Sequence, residues 1–212
     1  MISIQLKALL DAIGKHEAPK GYGQIYGGAK GVPKDTDVSK LTLDGVLKLQ
    51  QKMKDAGSAS TACGRYQFLR KTLQATISQM GLDGDELWSP ALQDRMAVHL
   101  MNGRGLEIYL AGNMSRDAFC NNLAMEWASL PVVTRIKGQK RMVDPGETYY
   151  AGDKLNKAFH TSQAIIALVE ALRQPTTVPP PDVEILPTQP TKPRGLLAAL
   201  IDLILMIFKR RT

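Results

Sequence analysis

The stretch SASTACGRYQFLRKTLQATISQMGL, Ser58 to Leu82, joins a loop of small residues to a Gly-Arg-Tyr-Gln-Phe turn and then to a helix that Gly81 stops. Working outward, each neighbour also reads as a helix. Upstream, TLDGVLKLQQKMK opens with a cap-like Thr-Leu-Asp and repeats Val46, Leu47, Leu49 and Met53. Before it, SIQLKALLDAIGKHE places Leu6, Leu9, Leu10 and Ile13 at helical spacing. Downstream, SPALQDRMAVHLMNGRG begins with serine as cap and proline at the first helical position. SRDAFCNNLAMEWASLP and NKAFHTSQAIIALVEALRQ add two more helices. No sustained period-two strand appears, and short strand-like pieces are expected around GYGQIYGG and GRYQFL. The body, residues 1 to 174, is therefore expected to be mainly α.

With 212 residues, 44% hydrophobic and 22% charged, the chain is a soluble globular protein with one ordinary core. Its formal net charge is +7. The segment after Gln174 holds five basic and three acidic residues, which leaves +5 on the body. Such a body favours polyanionic partners, and the sequence carries no nucleic-acid motif. Cys63 and Cys120 read as two core thiols. His16, His99 and His160 share no metal-ligand spacing, so no metal or organic cofactor is expected. The first residues have neither the apolar stretch nor the cleavage site of a secretory signal.

Composition changes at Pro175. Residues 175 to 194 hold seven of the twelve prolines and read as an extended spacer. Residues 195 to 212 follow, apolar from Gly195 to Phe208 except for Asp202. Fourteen residues make roughly 21 Å of helix, short of the roughly 30 Å hydrocarbon core. Flanking Arg194 and Lys209-Arg210-Arg211 can snorkel. The tail is expected to be an apolar helix that associates with a membrane, as a short span or an interfacial helix; docking on protein is the rival reading. Its basic end favours a cytoplasmic C-terminus, with the body facing the cell wall.

Glu17 poses the chemical question. It lies four residues after Ile13 and eight after Leu9, so it projects along the buried stripe. It also sits at the negative end of its helix. Burial and the dipole both favour the protonated carboxyl, the form a general acid needs. Gly21, Gly23, Gly27 and Gly28 follow, clearing side chains where a polymer could approach the backbone. A frayed helix end paired with Lys15, Lys20 or His16 is the structural alternative.

The ordered set HE, YGG, GRYQFL, LQDR and EWASLP, continued by YYAGDKLNKA, resembles the phage lambda-type endolysins and related phage lysozyme-like proteins over roughly residues 4 to 172. Cys63 stands where that family has alanine. The resemblance implies a mainly α, lysozyme-like fold (α+β in class) with two lobes and a substrate cleft. It implies a peptidoglycan-degrading enzyme, acting on glycan strands at the β-1,4 bond between N-acetylmuramic acid and N-acetylglucosamine. Glu17 becomes the catalytic acid. Tyr66 and Gln67 are placed in the cleft, and Tyr26 and Tyr149, with Tyr150 beside it, are candidates for stacking on sugars. Arg65 is expected to fix the turn, and Trp127, Pro131 and Glu126 to be scaffold. The resemblance also points to a bacteriophage or a prophage-bearing bacterium, and the spacer and apolar tail to a protein held at a virion membrane or the host inner membrane.

The second catalytic aspartate and threonine of T-even phage lysozymes fall on Tyr26 and Val32 here, so that pattern is absent. Asp35 and Asp37 are candidate carboxylates in what reads as a solvated loop. A single acid fits a lytic transglycosylase better than a two-carboxylate hydrolase. Lysozyme-type hydrolysis and a non-catalytic wall-binding virion component are the alternatives.

Overall fold

A computed structural model describes residues 2–153 and 156–174. The proposed spacer and apolar tail lie outside the described residues. The described chain runs through α1 (Ile4–Glu17), a 3-10 turn (Val38–Lys40), α2 (Leu43–Asp55), α3 (Arg70–Met80), α4 (Pro90–Gly103), α5 (Leu106–Leu110) and α6 (Arg116–Glu126). Two short antiparallel strands follow, β1 (Ile136–Lys137) and β2 (Met142–Val143), and α7 (Ser162–Ala171) ends it. It is mainly α with one small sheet.

The helix boundaries follow from local chemistry. Thr42 Oγ1 accepts from the Gly45 amide at 3.2 Å, and Ser89 Oγ accepts from the Leu92 amide at 3.3 Å with Pro90 opening the helix. Each cap satisfies an amide that the helix cannot. Gly81 ends α3 in the left-handed conformation at φ 60°. The last helix is shorter than its sequence suggests. Thr161 caps it through the Ala164 amide, so residues 156 to 160 stay outside as a loop.

The strand expectations are corrected. Around GYGQIYGG and GRYQFL the chain makes only single bridges, Ile25 to Cys63 and Cys63 to Phe68. The ladder lies instead at Ile136–Val143, paired Ile136 with Val143 and Lys137 with Met142.

Leu9, Leu10 and Ile13 of α1 are fully buried, as are Ile165 and Val169 of α7, the helix packed against it. The core continues through Trp88, Phe68, Met96 and Phe119. Trp88 meets Phe68 edge-on at 5.8 Å, and Tyr109 stacks on Phe119 at 5.1 Å. Trp127 is 2% exposed and is core, as expected. Cys63 and Cys120 are buried free thiols, each pushed up to about 12 chiefly by burial, and so are inert as nucleophiles.

Two buried glutamines lock the GRYQF turn to the helices. Gln50 of α2 donates to the carbonyls of Thr61 and Phe68, both at 2.8 Å. Gln93 of α4 accepts from the Arg65 amide at 2.9 Å and donates to the carbonyls of Tyr22 and Trp88. Gly64 is required there: its φ is +75°, and a Cβ would fall 2.6 Å from Gln93 Oε1 and 2.7 Å from the Trp88 ring.

Candidate active site

Helix α1 stops because Ala18 leaves the helical region (φ −141°, ψ 78°), its amide still reaching the Gly14 carbonyl at 3.0 Å. That stop delivers Glu17, half-buried, beside the segment that follows α6. Glu17 Oε1 accepts from the Ser129 amide at 3.1 Å. Burial pushes the Glu17 carboxyl above its ordinary value; the Ser129 side chain and amide and the charge of His16 pull the other way and do not cancel it. This is the environment of a proton donor.

The GRYQF turn is tied to the same helix. The Arg65 guanidinium pairs with Asp11 of α1 at 2.9 Å and lies 4.9 Å over the Tyr22 ring. Its stem fits against Gly14, one turn before Glu17. Arg65 thus fixes the turn, as expected, by clasping the helix that carries the acid. Gln67 has φ 49°, the lone positive φ outside glycine among the described residues. Its Nε2 donates to the Gly64 carbonyl at 2.8 Å. A strained backbone of this kind persists where its surroundings over-determine it.

Tyr66 is not in a cleft. It is 2% exposed, and its hydroxyl donates to Asp94 at 2.5 Å, beside a second donor, Tyr22, at 2.8 Å. Burial and the Asp94 charge raise both phenols, Tyr22 to about 12. A ring so enclosed has no face for a sugar, and it serves the turn as a buried strut.

Tyr26 is half-buried and lines a cavity of about 370 Å³ with Lys20, Gln24, Lys34, Asp35 and Asp37. Glu17 is not part of that lining. Asp37 is occupied as a cap, accepting from the Ser39 hydroxyl and amide, the main reason that its carboxyl sits below the usual range.

Tyr149 is half-buried and meets Tyr150 edge-on at 5.2 Å. Tyr150 is the better placed of the two. Its hydroxyl donates to the Met125 carbonyl at 2.6 Å, and the charge of Glu17 acts on it. It also lines a second cavity, of about 480 Å³, with Leu69, Lys71, Gln79, Arg104 and Glu126. Glu126 is paired with Arg104 at 2.7 Å, in keeping with a scaffold role.

The structure therefore gathers Glu17, Ser129 and Tyr150, with the Arg65 clasp behind them. Ser129 went unread in the sequence, although EWASLP contains it, because a backbone amide donor leaves no mark on residue type. The pattern of the family described as Endolysin matches residues 10–159.

The chain belongs to the endolysin family.

That match takes in Glu17, the GRYQF turn, Ser129 and both tyrosine sites of this endolysin. No curated protein matches it. Among solved structures it is similar to bacteriophage lambda lysozyme complexed with a chitohexasaccharide, with 24% identity and a TM-score of 0.46, over 80% of this chain and 96% of that one.

Proposed function

We propose that this endolysin is a phage-encoded peptidoglycan-degrading enzyme that cuts the β-1,4 bond between N-acetylmuramic acid and N-acetylglucosamine as a lytic transglycosylase, with Glu17 as its acid. The observation that carries this reading is the Glu17 carboxyl itself, half-buried, raised by burial and held on one oxygen by the Ser129 amide. The other carboxylates considered are committed or lie elsewhere. Glu126 is paired with Arg104, Asp37 is a cap, and Asp35 lines the cavity that excludes Glu17.

A single acid suffices for this reaction. Glu17 gives its proton to the leaving glycosidic oxygen as the bond to the muramyl anomeric carbon breaks. The muramyl 6-hydroxyl then attacks that carbon and passes its own proton to Glu17, which restores the acid and leaves a 1,6-anhydro end. The neighbouring acetamido group can assist by stabilising the anomeric cation. No water is consumed. Tyr150, and Gln67 with its donor and acceptor, are suited to hold sugars; Tyr26 and Tyr149 are further stacking candidates.

Digestion of purified peptidoglycan followed by mass analysis of the released muropeptides tests the reading. Anhydro ends support it. Reducing ends assign lysozyme-type hydrolysis of the same bond, and binding without release assigns a non-catalytic wall component.

The body at 1–174, spacer at 175–194 and apolar helix at 195–212 further suggest a tethered enzyme, at a virion membrane or the host inner membrane with its body toward the wall. Flotation with vesicles should carry the full chain and leave a chain ended at Gln174 behind. Protease protection in spheroplasts reads the orientation.

A further inference from the structure

Ser129 stands out among the buried groups that the reaction above does not use. The residue is 4% exposed. Its amide donates to Glu17 Oε1 at 3.1 Å, and its carbonyl accepts from the Phe159 amide at 2.9 Å. Its hydroxyl oxygen is fully buried without a well-formed hydrogen bond. A buried hydroxyl left unpaired carries a desolvation cost. This one lies close enough to the Glu17 carboxyl to act on its ionisation.

We propose that Ser129 is a positioning residue for Glu17: its amide holds Oε1 as an acceptor, and its hydroxyl turns to the carboxyl when the proton leaves.

An oxygen that already accepts an amide N–H is the poorer site for a proton, so the acidic hydrogen resides on Oε2. That directs the donor oxygen away from the loop. While Glu17 is protonated, the serine hydroxyl has little to gain from it. Once the proton has gone to the leaving oxygen, the carboxylate is a strong acceptor, and the hydroxyl donates to it at once. Ser129 keeps its own proton throughout; only the orientation of its O–H changes. The other ionisable groups acting on Glu17 are His16 beside it on α1 and Tyr150 from the facing loop, with His160 against His16 at 4.5 Å. None of them is buried beside the carboxyl as a neutral donor without a partner.

This inference rests on the acid role proposed for Glu17, but its test does not need turnover. Glutamate labelled with carbon-13 at the carboxyl reports Glu17 titration by NMR in the full chain. Ser129→Ala should raise the Glu17 titration by about one pH unit, a tenfold change in proton affinity. The alkaline limb of kcat should move up with it and kcat should fall about tenfold, since one pH unit of stabilisation is lost from the anion; KM should stay put. A purely structural serine predicts the reverse pattern, lower thermal stability with an unmoved titration. Ser129→Thr keeps the hydroxyl and should restore the titration. Should the alanine chain not fold, Ser129→Cys, whose thiol is a weak donor, should show a smaller upward shift. A Glu17 titration unchanged in the alanine or cysteine chain overturns the proposal. Absence of muropeptide release by the wild type would instead sink the enzymatic reading and leave the titration result standing.

Discussion

Gly14→Ala should destabilise the protein, against the usual sign for a helical glycine. Alanine in a helix interior is favoured over glycine by about 0.8–1.0 kcal/mol. Gly14 lies on the buried face of α1, however, and a Cβ there would fall 2.4 Å from Arg65 Nε, 2.7 Å from its Cγ and 2.9 Å from its Cζ. Arg65 cannot simply swing away. It is paired with Asp11 and seated over Tyr22, with 18% of its side chain exposed. Overpacking costs about 1–3 kcal/mol, and the loosened, partly exposed ion pair adds less than about 1 kcal/mol. The net loss is about 1–2 kcal/mol, which lowers Tm by about 3–6 °C in a chain of this size. The decisive assay is a double-mutant cycle followed by thermal and urea unfolding. In an Arg65→Ala background the obstacle is gone, and the same glycine change should stabilise by about 1 kcal/mol. If Gly14→Ala raises stability equally in both backgrounds, the clasp between turn and helix is not what holds this site.

Glu17→Gln should lower muropeptide release by about 10²–10⁴-fold, the usual worth of a general acid, while stability at neutral pH rises. The folded Glu17 holds its proton above the ordinary value of 4.5, so wild-type stability declines as pH climbs from there through the raised folded value, and that slope should be missing from the variant's urea midpoints. Tyr66→Phe should cost about 1–3 kcal/mol in unfolding, because buried Asp94 loses a short hydrogen bond, while a cleft residue would instead raise KM. His160 is held below its ordinary 6.5 by burial and by His16. Its share of stability is therefore present above 6.5 and is lost as pH falls toward the depressed folded value, and His160→Asn should flatten that part of the acid unfolding curve.

Helices were legible in the sequence wherever a cap or a breaker wrote their ends, as at Thr42, Gly81 and the Ser89-Pro90 pair. Glu17 was legible as well, because helical spacing from Leu9 and Ile13 fixes the face on which it emerges. The sheet was not, since strands of two residues carry no readable alternation. Nor was the inward turn of Tyr66. Which side chain of GRYQF faces the core is decided by positive φ at Gly64 and Gln67 and by two distant glutamines, and no periodicity encodes that. Ser129 was hidden for a related reason: its importance is a matter of where a long loop returns.

The hydrogen bond between Glu17 and Ser129 spans 112 residues of chain. During translation the acid therefore leaves the ribosome long before the amide that holds it. Domains gain such distant contacts only when the later segment has arrived. A half-made or prematurely ended chain carries Glu17 in an unfinished setting, and the pairing that holds its carboxyl forms only once the chain has been made past Ser129.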